Sequence, residues 1–177
     1  MPGRGELGDR YREAIARFAT GVTVITACDG ERLAGMTASA VASLSLDPPR
    51  MLVCINNRVS THSALERSRR FGVNVLEEGD EELALRFARP AADKFAGLRV
   101  NLDWDVPLLE RAIARFVCDV HERFPGGDHS IFIGAIRHCE HVPSRRPLLY
   151  FASSFGGVQQ VDDALGRSSE LWALTGI

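Results

Sequence analysis

The sequence predicts a mainly β protein, an antiparallel sheet closed or half closed into a barrel, with a few short helices around it. Six or seven short segments have the alternation or the β-branched composition of strands. Turn signals such as Asp29-Gly30 follow several of them. Few neighbouring strands are separated by a segment long enough for a crossover helix, which a parallel sheet requires. An antiparallel barrel satisfies all three observations.

The predicted strands are defined by their residue pattern and by the residues that interrupt them. The clearest covers residues 115–124, where Phe116, Cys118 and Val120 form an apolar face. Pro48-Pro49 ends an earlier extended segment, because proline cannot donate a ladder hydrogen bond. The expected strands are residues 22–29, 36–45, 51–56, 71–76, 115–124, 131–136 and 148–151.

Helical spacing is predicted for a few short segments. Tyr11, Ile15 and Phe18 lie on one face of the first helix, which Gly21 ends. Ser60 has the position of an N-cap for the second. The expected helices are residues 9–19, 60–70 and 81–87, with a short helical turn at 91–95.

Length and composition favour one domain. The chain has 177 residues, 45% of them hydrophobic, and a formal net charge of -2. That charge gives no electrostatic reason to expect nucleic acid or an acidic membrane as a partner. No apolar run reaches the ~20 residues that a membrane span needs. We expect a flexible leader at 1–8, a single domain at 9–158, and a loose tail or docked helix at 159–177.

The cysteines and histidines argue against a metal site and against disulfides. The four cysteines include no CxxC pair, and a disulfide framework is not expected in a chain of this size. We therefore expect free thiols in a reducing cytoplasm. His138 and His141 are close in sequence but have no obvious third ligand, so no metal is expected.

Met36 to Ala40 is the first of three candidate binding segments. Its small side chains would let backbone groups approach the edge of a flat ring, and its hydroxyls could bond polar ring atoms or a phosphate. A plain strand of small residues is the alternative.

The second candidate, Asn56 to His62, joins a buried strand to the start of a helix. A helix N-terminus offers free N–H groups and the positive end of the dipole. Arg58, Ser60 and Thr61 add a cation and two hydroxyls. The combination suits a phosphate group, and an ordinary capped helix with an exposed arginine is the alternative.

The third candidate is Gly126 to Ser130. It places His129 directly after a glycine turn, where a planar ligand could approach. A surface or packed histidine is the alternative.

Together these segments resemble the short-chain flavin reductases that serve two-component flavin-dependent monooxygenases. The resemblance runs from about Arg17 to Phe151. Its specificity lies in the order and spacing of several short sequence motifs. These are Arg17 to Val22, Gly35 to Ser45 with Asp47-Pro48-Pro49, Ser60-Thr61, Phe71 to Leu76, Asp93 to Gly97, and Gly127 to His129.

The resemblance implies an FMN-binding split barrel that forms a homodimer with flavin near the subunit interface. It implies oxidation of NADH or NADPH and delivery of reduced FMN or FAD to a separate monooxygenase. By the same resemblance, the flavin ring would be lined by Thr37, Ala38, Ser39 and Ala40. The ribityl phosphate would be held by Asn56, Ser60 and Thr61, with help from Lys94, and the catalytic His129 would lie near the nicotinamide.

Hydride transfer requires two rings at contact distance rather than a side-chain nucleophile. A sequence without an evident catalytic triad is therefore compatible with this activity. Three alternatives stay open: another enzyme on the same fold, such as a pyridoxamine-phosphate-type oxidase or a haem-handling relative; a non-enzymatic flavin carrier or electron-transfer module; and a purely structural dimer.

Overall fold

Antiparallel strands dominate the computed structural model, which describes residues 5–30 and 32–159. The strands are β1 (Thr20–Gly21), β2 (Thr23–Asp29), β3 (Arg32–Ala38), β4 (Val41–Leu46), β5 (Pro49–Asn56), β6 (Arg70–Val75), β7 (Val100–Asn101), β8 (Leu108–Leu109), β9 (Ala114–Gly126), β10 (His129–His141), β11 (Leu149–Phe151) and β12 (Ser154–Gly156). The helices are α1 (Glu6–Ile15), α2 (Ser60–Ser68) and α3 (Glu81–Ala88).

One seven-stranded sheet carries the fold, with strand order β3-β2-β6-β9-β10-β5-β4. Its two edge strands, β3 and β4, are consecutive in the chain and only Ser39 and Ala40 separate them. Two residues span at most about 10 Å, so the opposite edges of the sheet must curl toward each other. The result is a split barrel, and the predicted mainly β, antiparallel fold class is confirmed.

Two hydrophobic clusters lie on opposite sides of this sheet. One contains Phe71 and Phe132 with Ile25, and the other contains Phe87 with Val24. Strand β2 is buried on both faces because its alternate residues enter different clusters, which explains its continuous β-branched run.

A glycine lets helix α3 approach strand β3 closely. A Cβ on Gly35 would lie 2.6 Å from the ring of Phe87, a distance that real side chains do not tolerate. Any larger residue there would push α3 away from the sheet edge.

The helices differ from their predicted positions. Helix α1 begins at Glu6, so residues 6–8 of the expected leader are helical, and it ends at Ile15, well before Gly21. Acidic residues in its first turn favour the earlier start through the helix dipole. In α2, Val59 occupies the N-cap position and Ser60 is the first helical residue.

The expected helical turn at 91–95 is wrong. The Asp93 carboxylate accepts hydrogen bonds from the N–H groups of Phe95 (2.9 Å) and Ala96 (3.1 Å). This local turn competes with helix formation.

The expected segment 36–45 is two strands, because the chain changes sheet edge at Ser39 and Ala40. Strands β9 and β10 extend beyond their predicted ends. Of the expected tail, residues 160–177 lie outside the described part. No helix in the described ranges is long and apolar enough to cross a membrane.

Candidate flavin and nicotinamide site

Three chain segments meet at one end of the sheet. The N–H of Cys54 in β5 donates to the carbonyl of Ala40 over 2.9 Å, just before β4 begins. At the end of β5, Asn56 is the direct cross-strand partner of His129. Ala40, Asn56 and His129 therefore lie within a few residues of the same sheet end, although up to 89 positions separate them in sequence.

The N-terminus of α2 follows this sheet end directly. It has no side-chain cap, so N–H groups of its first turn can donate to an anionic partner. Ser60 is exposed, whereas Thr61 is buried. The Thr61 hydroxyl has no hydrogen-bond partner among the described residues, an arrangement that costs free energy until a ligand or water satisfies it.

A cavity of about 450 Å³ opens between α2, β3 and the segment that follows α3. Ser60 and Ser63 line it with hydroxyls, and Arg32, Arg67 and Lys94 line it with cations. Arg67 is ion-paired with Asp29 at 2.7 Å. The cavity thus brings together Ser60 and Lys94, two predicted phosphate-side residues 34 positions apart.

Lys94 also holds its own segment in place. Its ammonium donates to the carbonyls of Phe87 (2.8 Å) and Gly35 (3.1 Å). Burial lowers the pKa of Lys94, since desolvation disfavours the charged form. An anion entering the cavity would offset that cost.

The small-residue segment divides between two surfaces. The Thr37 hydroxyl donates to the carbonyl of Ala84 in α3 over 2.5 Å, which turns it away from the cavity of Ser60. Thr37, Ala38 and Ser39 line a second cavity of about 290 Å³ together with Tyr150. Ser39 and Ala40 are exposed at the link between β3 and β4.

His129 is oriented by the residue that precedes it. Its Nδ1 lies 2.7 Å from Oδ1 of Asp128, so Nδ1–H donates to the carboxylate and Nε2 is the ring nitrogen left for a ligand. Gly127 has φ +73°, a conformation in which a side chain is strained, so glycine suits this turn.

Three further residues at this end lie inside the candidate segments predicted from the sequence but were given no role there: Asn57, His62 and Ser130. They form a hydrogen-bonded chain between the start of α2 and the start of β10. The inward position of Ser130 in an alternating strand was the one available signal, since a polar residue there needs a partner. Nothing in the local sequence indicates that His62, 68 positions away, supplies it.

This arrangement suits binding and orientation. Hydroxyls, cations and a helix N-terminus suit a phosphate, and the small residues at the β3–β4 link suit a flat ring. Within the described ranges, no three His, Cys, Asp or Glu side chains are grouped to hold a metal ion.

The fold and site define a class of small split-barrel proteins that bind a phosphorylated planar cofactor. A family model described as "Flavin reductase like domain" matches residues 15–159. The chain belongs to this flavin reductase family.

Bacterial relatives support the assignment. The chain is 36% identical over 160 residues to the reductase component of a 4-nitrophenol and 4-nitrocatechol monooxygenase from Rhodococcus opacus, covering 90% of this chain and 86% of the relative. It is 35% identical over 156 residues to an NADH-dependent FAD reductase from Streptomyces globisporus, covering 82% and 83%.

Solved structures agree with these relatives. The NADH:FAD oxidoreductase SgcE6 of Streptomyces globisporus superposes with a TM-score of 0.82 at 32% identity, over 90% of this chain and 98% of that one. A second structure of SgcE6, in complex with NAD and FAD fragments, gives a TM-score of 0.81 at 34% identity, with coverages of 88% and 94%. The protein is an NAD(P)H-dependent flavin reductase, an oxidoreductase that reduces FMN or FAD by hydride transfer.

Proposed function

We propose that the 450 Å³ cavity holds the phosphate side of the flavin, that the flavin ring lies along the β3–β4 link, and that the nicotinamide lies beside His129. The convergence of Ser60, Lys94 and Arg32 on one cavity carries this proposal. The volume lies within the range of cofactor pockets, ~300–1,000 Å³.

The phosphate side is held by charge and by hydroxyls. Ser60, which lines the cavity, donates from the start of α2. Thr61 is buried behind that lining, and its unpartnered hydroxyl gains a partner when the start of α2 opens enough for a phosphate oxygen to reach it. Lys94 contributes a cation that burial leaves poorly solvated. Asn56 fixes the approach to the helix, since its Oδ1 accepts from the N–H of Arg58 over 2.9 Å.

The ring side is held by backbone and by small residues. Ala38, Ser39 and Ala40 let the chain pass close to a flat ligand, and Thr37 contributes through its backbone because its hydroxyl is bonded to α3. When bound, the flavin supplies the hydride acceptor and the reduced nicotinamide the donor. The task of the protein is to align them and to exclude water.

His129 is the proposed catalytic residue. With Nδ1–H bonded to Asp128, neutral His129 accepts a hydrogen bond at Nε2 from the amide of a nicotinamide carboxamide. When protonated it donates there instead and offsets negative charge on the reduced ring.

A homodimer is proposed because large apolar side chains are exposed on the surface of the sheet. Leu46 is 65% exposed on edge strand β4, and Phe124, near the tip of β9, is 45% exposed. A second copy would cover them and would remove a free sheet edge.

The proposed partner is a separate flavin-dependent monooxygenase in the cytoplasm, to which the enzyme supplies reduced flavin. The support is that a relative is named as the reductase component of such a system. We also propose that residues 9–158 form a single domain.

Steady-state oxidation of NADH and NADPH, each with FMN, FAD and riboflavin, tests the proposal. We expect oxidation to depend on added flavin and to favour phosphorylated flavins over riboflavin. Flavin binding without oxidation of either nicotinamide would indicate a carrier instead. Equal affinity for FMN and riboflavin would contradict the proposed position of the phosphate in the cavity.

A further inference from the structure

His62 has no part in the function proposed above, yet it is built into the site. Its side chain is 8% exposed, and its ring packs edge-on against Phe132 with centroids 5.4 Å apart. A polar ring in this core needs hydrogen-bond partners to offset its burial.

The first partner of His62 is Ser130, the residue after His129. His62 Nε2 lies 2.9 Å from the Ser130 hydroxyl. That hydroxyl itself donates to Oδ1 of Asn57 over 2.9 Å. Because its single proton is used in that bond, Ser130 must accept from His62, which fixes the Nε2–H tautomer.

Asn57 carries the connection to the turn before His129. Its backbone N–H donates to the carbonyl of Asp128 over 3.0 Å, and its side-chain amide donates to the carbonyl of Gly127 over 3.3 Å. The chain of bonds from His62 therefore ends on the turn that aims the His129 ring.

The other side of His62 faces charge. Its Nδ1 lies 3.6 Å from Glu66 in α2, and Arg123 of β9 is ion-paired with Glu66. Burial, and then the nearby Arg123, lower the pKa of His62. The neutral form of the ring is thus favoured, and its single N–H is the one on Nε2 that donates to Ser130.

We propose that His62 is a positioning residue, which acts through Ser130 and Asn57 to hold the Gly127-Asp128 turn and with it the imidazole of His129. This inference rests on the proposed placement of the nicotinamide beside His129. It assigns a role in the reaction to a side chain that touches neither ring.

Paired variants test whether the donor atom matters. His62→Phe keeps a ring against Phe132 but removes the N–H, whereas His62→Gln keeps an N–H donor. For loss of one buried hydrogen bond we expect His62→Phe to raise the KM for NADH about fivefold to tenfold with a smaller change in kcat. His62→Gln should recover much of this loss. His138→Phe, at the other end of β10 where His138 stacks on Trp104, is the matched control.

Stability is read beside the kinetics. A lower Tm with an unchanged KM in His62→Phe would mean a purely structural role and would overturn the inference. Equal kinetic loss in the Phe and Gln variants would also overturn it. Ser130→Ala removes the hydroxyl that links His62 to Asn57 and changes the side-chain volume little. Its KM for NADH therefore tests the inference if His62→Phe does not fold.

A nuclear magnetic resonance readout separates this inference from the proposed function. The imidazole ¹⁵N signals of His62 should show the Nε2–H tautomer, and Ser130→Ala should shift them together with the amide signals of Asn57 and Asp128. The opposite tautomer, or amide signals unmoved in Ser130→Ala, would overturn the inference without reference to activity.

A double variant tests the route of the effect. Once His129→Ala has removed the ring, adding His62→Phe should raise the KM for NADH no further. Additive losses would overturn the inference. Normal kinetics in His129→Ala alone would instead refute the nicotinamide placement, and the amide signals would still decide whether His62 holds the turn.

Discussion

At the scale of single residues, the proposed site includes two side chains whose surroundings set their chemistry. His129 is half exposed, and its orientation comes from Asp128, the residue before it. Thr61 is the reverse case, a buried hydroxyl that the described chain leaves without a partner. His129 is oriented for contact with a ligand, and the Thr61 hydroxyl would gain a hydrogen bond from one.

We expect His129→Ala to slow hydride transfer or raise the KM for NADH by roughly tenfold to a hundredfold, with flavin affinity little changed. The loss is moderate because the ring orients a substrate and does not itself carry the hydride. Stopped-flow reduction of bound flavin, measured beside a melting curve, checks this. A normal rate of flavin reduction with a normal dependence on NADH concentration would show that His129 is not part of the site.

Thr61→Val is expected to stabilise the ligand-free protein by about 1 kcal/mol, because it replaces an unsatisfied buried hydroxyl with a methyl group of similar size. The same change should weaken FMN binding, since the hydroxyl is lost as a phosphate partner. Calorimetric binding and thermal melting measure the two effects. Higher stability with unchanged FMN affinity would place Thr61 outside the site.

Ser60→Ala should weaken FMN binding several-fold, equivalent to about 1 kcal/mol for one polar contact, and leave riboflavin binding unchanged. Riboflavin lacks the phosphate and so serves as the ligand control. Ser154→Ala in β12 is the protein control. Equal losses for both flavins would mean that Ser60 acts on the ring or on the fold.

At the scale of elements, the local sequence pattern predicted most strands. Alternating apolar and polar residues in the sequence correspond directly to the buried and exposed faces of a folded strand. The predicted strand at 115–124 became Ala114–Gly126, and 131–136 became His129–His141. Most of the extra residues pair within the β9–β10 ladder, and this backbone pairing leaves no trace in side-chain type. Segment 91–95 failed because the Asp93 carboxylate competes for backbone N–H groups.

The same limit applies to the candidate site. Asn56, Ser60 and His129 were predicted as site residues because each lies beside a turn or a helix start, and they stay predictions. His62 lay in a candidate segment but was given no role, because its partner, Ser130, is distant in sequence and is reached only through strand register.

Two arginines on neighbouring strands hold Asp119 in the middle of the sheet. Arg70 donates to its carboxylate over 2.8 Å and Arg137 over 2.5 Å. Burial raises its pKa, but the two arginines outweigh that effect and lower the pKa below 3.8 overall. Asp119→Asn should therefore cost about 1–2 kcal/mol of stability near neutral pH.

The pH dependence of that loss gives an independent check. A lowered folded-state pKa means that the contribution is present above pH 3.8 and disappears as the pH falls through the lowered value. Urea unfolding should show the wild type and Asp119→Asn converging in acid. A difference that persists there would mean that packing, rather than charge, accounts for the loss.

At the scale of the whole molecule, exposed apolar residues include Leu44 and Leu46 on the edge strand β4 and Leu7, Tyr11 and Ile15 on helix α1. Helix α1 buries none of its residues, and Leu7 is 80% exposed. A monomer would leave these surfaces in water, which favours the proposed homodimer.

We expect Leu46→Glu to shift the protein from dimer to monomer, because it places a charge on the edge strand that a second copy would cover. Sedimentation velocity at micromolar concentration measures the shift. Leu102→Glu, at an exposed leucine away from β4, is the matched control. A wild type that sediments as a fully active monomer would refute the dimer.

The link of two residues between β3 and β4 has a consequence for motion. Ser39 and Ala40 join the two edges of the seven-stranded sheet and are also expected to lie along the flavin ring. A ligand bound there would restrict the motion of the two sheet edges that the link joins. Flavin should then slow amide hydrogen exchange in both β3 and β4, although β4 contributes no residue to the cavity that is proposed to hold the phosphate.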